Sequence, residues 1–197
     1  MKINKFLTIV DYGSKKIRLS IFDKNHKKIY STYENQISDQ NAETKSYKIN
    51  EIIRKAEKNI SDHIEEMVVL YDDPKVTAID LSIKKEFDQK IIVDENILLL
   101  VTEAKKLLQN YHDNLKIMHT IINKFLIDDK EYYQNLDKKL LGKKVIIDFK
   151  FVCIPNNKYL FIEDLFKKNS VQILNLFCTS ITKAITYQKY FKNKKSI

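Results

Sequence analysis

The segment Phe6-Leu7-Thr8-Ile9-Val10-Asp11-Tyr12-Gly13-Ser14-Lys15-Lys16-Ile17-Arg18-Leu19-Ser20-Ile21-Phe22-Asp23 decides how the rest of the chain is read. Phe6–Val10 is a short apolar run, and Ile17–Phe22 alternates Ile17, Leu19 and Ile21 with Arg18 and Ser20. Both patterns predict strands, joined by the tight turn Asp11-Tyr12-Gly13-Ser14. Such a turn presents successive backbone N–H groups at one point, and Gly13 lets a ligand approach the backbone closely. Ser14 adds a hydroxyl donor, Lys15 and Lys16 add charge for a phosphate, and Asp11 at the strand end is placed to hold Mg²⁺ through its water shell. The same residues also suit an ordinary hairpin in which Asp11 and Gly13 serve only the turn. Local sequence does not separate the two readings.

Downstream of this hairpin, Asp23-Lys24-Asn25-His26 is a turn cluster and Lys28–Tyr33 continues as a third strand. Residues 34–46 are polar and aperiodic, so a loop is expected there. From Tyr47 the period changes: Ile49, Ile52, Ile53, Ala56, Ile60 and Ile64 share one face of an amphipathic helix of about four turns. Met67–Tyr71 is a continuous apolar run, the mark of a strand buried on both faces. Val76–Ile83 and Lys90–Val93 read as strands, and Asp94 caps a helix carrying Ile97, Leu98, Val101, Ala104, Leu107 and Leu108. Long strands follow at Leu115–Ile127 and Lys143–Ile154, on either side of the polar stretch 128–139. The chain closes with a helix from Tyr159 to Lys168, a strand at Val171–Phe177 and a helix from Thr179 to about Phe191.

Leaving out residues 73–155, the order is strand, strand, strand, helix, strand, helix, strand, helix. This is the α/β order of the ribonuclease-H-like fold, shared by actin-type ATPases and a group of nucleases. The omitted block has its own strand and helix pattern and enough apolar residues for a small core. The expected organisation is a discontinuous subdomain, residues 1–73 plus 156–191, with an α+β subdomain inserted at residues 74–155 and a basic tail at 192–197. Insertion at a surface connection is physically cheap when the ends of the insert lie close together.

With 197 residues, 44% hydrophobic and 31% charged, the chain has an ordinary globular composition and can bury a core without staples. Its net charge of +9 invites a nucleic-acid partner. Yet among 35 basic residues only Arg18 and Arg54 are arginine, the side chain that bidentate base and phosphate recognition favours. Lysines scattered over all faces make a solvated surface, and no nucleic-acid partner is expected. No apolar run reaches the ~18 residues of a membrane span, and no secretory leader is read at Met1–Lys5. Two glycines in all exclude a complete dinucleotide fingerprint or P-loop. Cys153 and Cys178 read as core thiols, and His26, His63, His112 and His119 show no zinc-ligand spacing with them.

Phe6–Asp23, with Asp11, Gly13, Ser14 and Lys16, resembles the first phosphate loop of the bacterial cell-division FtsA family of actin-like ATPases. Ala56-Glu57 matches an Ala-Glu pair of that family. His119-Thr-Ile-Ile-Asn-Lys-Phe125-Leu-Ile-Asp128 is similar to its His-x-Ile-Pro-x-x-Phe-x-x-Asp segment, with Ile122 in place of proline. Leu141-Gly142 before Val145–Val152 is similar to a Leu-Ser-Gly turn and strand, and Cys178-Thr-Ser-Ile-Thr-Lys-Ala184 to a small-residue helix start. The resemblance runs over nearly the whole chain and matches only the N-terminal half of a typical member. It implies one wall of an ATP cleft, with Asp11, Gly13, Ser14, Lys15 and Lys16 contacting ATP and Mg²⁺. It also implies an inserted interaction subdomain, and partners among FtsZ, other divisome proteins and further copies of the chain. The implied place is the cytoplasmic face of the inner membrane at the division site, with only indirect membrane contact. The second phosphate loop and the family's membrane helix have no match after Phe191. Half a cleft leaves a triphosphate solvated, so ATP binding by this chain alone is expected to be weak, with no efficient catalysis.

Two alternatives share the fold order. A metal-dependent nuclease would use Asp11, Glu51 or Glu57, and Asp72 or Asp73 to hold two metal ions. The Gly-Ser-Lys-Lys run after Asp11 suits phosphate cradling better. The other is an actin-like pilus-assembly protein that carries a similar insert.

Overall fold

The computed structural model describes residues 6–36, 41–87, 91–92, 94–132 and 140–194. In chain order the elements are β1 (Phe6–Tyr12), β2 (Lys16–Asp23), β3 (Lys28–Asn35), α1 (Ala42–Ile60), β4 (Glu66–Tyr71), β5 (Thr77–Glu86), β6 (Ile91–Ile92), α2 (Asp94–Tyr111), β7 (Leu115–Ile127), β8 (Lys130–Tyr132), β9 (Leu140–Leu141), β10 (Lys144–Pro155), α3 (Asn156–Lys167), β11 (Gln172–Cys178) and α4 (Thr179–Lys194). They fall into two compact units, Met1–Pro74 with Asn157–Ile197, and Lys75–Asn156.

The first unit is built on a five-stranded sheet in the order β11-β4-β1-β2-β3. β1, β2 and β3 form an antiparallel meander, while β4 runs parallel to β1 and β11 parallel to β4. Strand alternation sends Thr8, Val10 and Tyr12, then Ile17, Leu19 and Ile21, then Met67 and Val69 to one buried face. That face meets the buried stripes of α1 (Ile49, Ile52, Ile53, Ala56) and α3 (Ile162, Leu165, Phe166). Burying an aliphatic side chain contributes about 1.5–3 kcal/mol, so this layer holds the sheet in register. The other face is less covered: Ile9, Val68 and Leu70 are half-buried. β4 is therefore fully buried on one face only, not on both as its apolar run predicts.

Several expected boundaries move; α3 begins at Asn156 rather than Tyr159, and β5 runs on to Glu86. α1 begins at Ala42, inside the stretch read as a loop, because Asn41 caps it by accepting the Thr44 N–H at 2.9 Å. The polar first turn shows no apolar period, so pattern alone starts the helix at Tyr47. β3 runs on to Asn35, and α4 continues to Lys194, so the first residues of the expected tail are helical. Residues 195–197, and Lys90 and Val93 of the expected sixth strand, lie outside the described residues.

The second unit is a four-stranded antiparallel sheet, β5-β10-β7-β8, with α2 on one face and a two-stranded pair β6-β9. Its core joins Leu100, Ala104 and Leu108 of α2 to Ile83, Phe125, Ile127, Val145, Ile147, Phe149 and Phe151. The opposite sheet face carries cross-strand ion pairs, Lys150 with Asp80 at 2.9 Å and Lys124 with Asp148 at 3.5 Å. β7 and β8 are joined by Asp128 and Asp129, both at positive φ (46° and 66°) as a two-residue hairpin turn requires. Among the described residues no helix is long and apolar enough to cross a membrane.

Candidate functional site

Because β1, β4 and β11 run parallel, their carboxyl ends lie together, where open α/β sheets commonly place ligand sites. The β1–β2 turn sits at this edge. Its last strand pair is Tyr12 with Ile17, and the Gly13 N–H donates to the Lys16 carbonyl at 3.0 Å, leaving Ser14 and Lys15 at the exposed tip. A Cβ on Gly13 would come within 3.0 Å of that carbonyl oxygen, so the closure is tight.

Gln36, the residue after β3, holds the turn from the side. Its backbone N–H donates to the Lys15 carbonyl at 2.8 Å, and its side-chain Nε2 donates to the Gly13 carbonyl at 3.0 Å. The backbone N–H groups of Ser14 and Lys15 have no partner among the described residues. Next to the turn, Arg18 donates to the Asp11 carboxylate at 3.0 Å, and Lys16 places its ammonium 4.8 Å from the Tyr33 ring centroid. Tyr12 turns to the buried face beside Tyr71 and Phe166, with ring centroids 5.8 and 6.4 Å away. Burial pushes its hydroxyl up to about 12, against a smaller opposing effect of the Gln36 amide. That hydroxyl has no well-formed hydrogen bond among the described residues.

At the ends of β4 and β11, the Asp72 carboxylate accepts from Cys178 Sγ at 3.0 Å, the Ser180 N–H at 3.1 Å and the Ser180 hydroxyl at 3.2 Å. Burial raises the Asp72 pKa, but these hydrogen bonds and the Lys183 charge outweigh it and hold the carboxyl below its ordinary range. Tyr71 donates to Asp73 at 2.9 Å, and burial first and Asp73 second push its hydroxyl upward.

These contacts divide the expected residues. Gly13, Ser14, Lys15 and Lys16 form one turn whose carbonyl side is occupied and whose tip offers amide donors and ammonium charge. That suits an anion. Asp11 stands beside it with its carboxylate already neutralised by Arg18, so a cation at this place would compete with the guanidinium. The fit is thus to an anion rather than to a metal ion held by Asp11 directly.

The two-metal arrangement is not formed. The Glu57 carboxylate accepts the Ile64 N–H at 3.0 Å and pairs with His63, so it closes the C-terminal end of α1. α1 ends where β4 begins, and Asp72 lies at the far end of that strand. No group of three or more His, Cys, Asp or Glu among the described residues has metal-holding geometry. Cys153 and Cys178 are buried free thiols, as their apolar contexts predict.

In the second unit, Asp128 accepts the N–H groups of Lys143 (3.1 Å) and Lys144 (2.8 Å), and Gly142 packs against Ile127. The sequence segments around His119–Asp128 and Leu141–Val152 therefore meet as neighbouring strands of one sheet. Sequence reading missed Gln36 and the tie made by Asp72. Gln36 sat in a polar stretch with no local signal, and Asp72 reads as part of an Asp-Asp-Pro turn.

No family model and no curated protein matches the chain. Among solved structures, a chain of a PilM-PilN type IV pilus biogenesis complex is similar over 87% of this chain and 47% of its own, with a TM-score of 0.58 and 7% identity. A protein of Bacteroides thetaiotaomicron with an actin-like ATPase fold and unknown function aligns over 93% of this chain and 56% of its own, with 12% identity and a TM-score of only 0.36. The chain spans about half the length of these solved chains. With the sheet order above, the first likeness shows a mixed α/β fold of the ribonuclease-H-like order, shared with that chain. It shows the fold alone and does not single out the FtsA family.

Proposed function

We propose that the chain is an actin-like assembly protein of the pilus-biogenesis type, working by complex formation rather than by efficient ATP hydrolysis. The likeness in fold to a chain of the PilM-PilN complex carries this reading, since it extends over 87% of the chain, more than either unit supplies alone. The partner in this reading is a pilus-assembly protein, met on the cytoplasmic side of the membrane. The division role, with FtsZ, other divisome proteins and self-polymerisation, rests on the sequence resemblance only.

The turn at Gly13–Lys16 takes the phosphates of ATP in this reading, with Mg²⁺ arriving on the nucleotide. Ser14 and Lys15 supply backbone donors, and Lys15 and Lys16 supply charge. Arg18 keeps Asp11 neutralised, which lowers repulsion of the anion.

The test is crosslinking and affinity isolation of the tagged chain from its own cells, in full length and without residues 75–156. A pilus-assembly protein recovered with the full chain and lost with the shortened one is the expected result. Recovery of FtsZ instead would install the division role, and recovery of neither would remove the assembly reading. Calorimetry with Mg-ATP tests the turn: weak binding by the full chain is expected to disappear in Ser14→Ala plus Lys16→Ala.

A further inference from the structure

Gln36 binds the turn twice, once through its backbone N–H to the Lys15 carbonyl and once through its side chain to the Gly13 carbonyl. The peptide bond between Gly13 and Ser14 is planar and trans, as no cis peptide is present, so its N–H points opposite to its C=O. A Gly13 carbonyl drawn toward Gln36 therefore sends the Ser14 N–H away from Gln36. By the same rule the Lys15 carbonyl sends the Lys16 N–H away.

An ordinary two-residue hairpin would close with a second bond, from the Lys16 N–H to the Gly13 carbonyl. Here that carbonyl is taken by the Gln36 side chain, and the turn keeps only the Gly13 N–H to Lys16 carbonyl bond. Ser14 and Lys15 are exposed and their N–H groups are unpaired among the described residues. The two tip amides have no partner in any two-residue hairpin, so what Gln36 adds is a fixed direction for the Ser14 N–H, which is left for an external acceptor.

We propose that Gln36 is the positioning residue of this turn: its side-chain amide fixes the Gly13–Ser14 peptide so that the Ser14 N–H faces a phosphate oxygen. Gln36 makes no contact with the phosphate itself. The inference rests on the phosphate-binding reading of the turn and adds the residue that orients it. It also assigns a role to the end of β3, which supplies no residue to the site as read from sequence. α1 steadies that end, since Lys48 donates to the Asn35 carbonyl and Lys55 pairs with Glu34.

The experiment uses the full chain and inorganic tripolyphosphate, followed through backbone amide resonances. Gln36→Met keeps the length and neutrality of the side chain and removes the donor, and its backbone N–H bond to Lys15 stays. In the unsubstituted chain the Ser14 and Lys15 amide signals are expected to move with added tripolyphosphate. In Gln36→Met the affinity falls about fivefold to tenfold, the loss expected for one hydrogen bond. The variant stays folded, with only the small loss of stability that one hydrogen bond contributes, and the Ser14 amide signal is displaced even without ligand. Equal affinity in both chains would overturn the positioning role while leaving the phosphate site standing. No response in the unsubstituted chain would overturn the phosphate site itself, and the role of Gln36 with it.

Discussion

Asp72 and Ser180 are 108 positions apart in sequence, yet the Asp72 carboxylate accepts the Ser180 backbone N–H at 3.1 Å. The end of β4 thereby caps the first turn of α4, the helix that follows β11. Removing a capping acceptor typically costs about 1 kcal/mol. Asp72→Ala is expected to lower stability by about that amount in urea unfolding, and Asp72→Asn by less, because the amide oxygen still accepts. Equal stability of the alanine variant and the unsubstituted chain would show that the cap contributes nothing.

The same carboxylate gives a pH dependence. Asp72 is held below the ordinary carboxylate range, hydrogen bonds and Lys183 outweighing burial, and Asp128 is held low by the N–H groups of Lys144 and Lys143. A group whose folded pKa is depressed adds stability above its unfolded value of about 3.9 and loses it as pH falls through the folded value. The urea midpoint is expected to fall below about pH 4, less steeply in Asp72→Asn than in the unsubstituted chain. Identical slopes would remove Asp72 from the account.

Gly142 is required for space. A Cβ there would collide with Ile127 Cγ2 and lie 3.2 Å from Asp128 Oδ2. Ile127 is buried at the end of β7 and cannot swing clear. Gly142→Ala is expected to destabilise the second unit by about 1–3 kcal/mol, the range for overpacking a filled core. A neutral result in thermal unfolding would mean that the strand end shifts freely.

Phe149 and Phe151 are both fully buried, with ring centroids 5.6 Å apart and planes at 23°. Alternation along β10 puts both residues on the same core face, where the rings lie against each other. Phe151→Ala is expected to cost about 3–5 kcal/mol, read by near-ultraviolet dichroism and urea unfolding. A loss under about 1 kcal/mol would place the ring outside the structural core.

Tyr12 offers a change in the opposite direction. Its hydroxyl is buried without a well-formed hydrogen bond, and burying such a group costs stability. Tyr12→Phe removes the oxygen and keeps the contacts with Tyr71 and Phe166. Stability is expected to rise by about 1 kcal/mol. A clear loss of stability would show that the hydroxyl is satisfied in solution.

Much of the fold was legible because its periods are strong. Ile17, Leu19 and Ile21 alternate, and Ile49, Ile52, Ile53 and Ala56 recur at helical spacing, and each set is buried as its period requires. The start of α1 was not legible, because Ala42–Ser46 has no apolar period and Asn41 acts through a single hydrogen bond. Strand Lys130–Tyr132 was hidden in a stretch that reads as a polar connection, since Asp128-Asp129 supplies positive φ without glycine. Of the candidate site, Gly13, Ser14, Lys15 and Lys16 are consecutive, so their proximity was already in the chain. Gln36 was invisible because the contact that matters spans 23 positions. The place of Glu57 was invisible for a related reason: a helix can bring it to either end of a sheet, and only the direction of α1 decides which.

What residue order alone determined here is local: which segments alternate, which recur every 3.6 positions, and where one glycine lets two strands turn back. These follow from steric preference and the burial of apolar side chains, and neither needs a distant partner. Tertiary structure decided everything that depends on which way a polar group points: Arg18 on Asp11, Gln36 on Gly13, Asp72 on Ser180. Hydrogen bonds are short-ranged and directional, so their partners exist only once the strands are laid side by side.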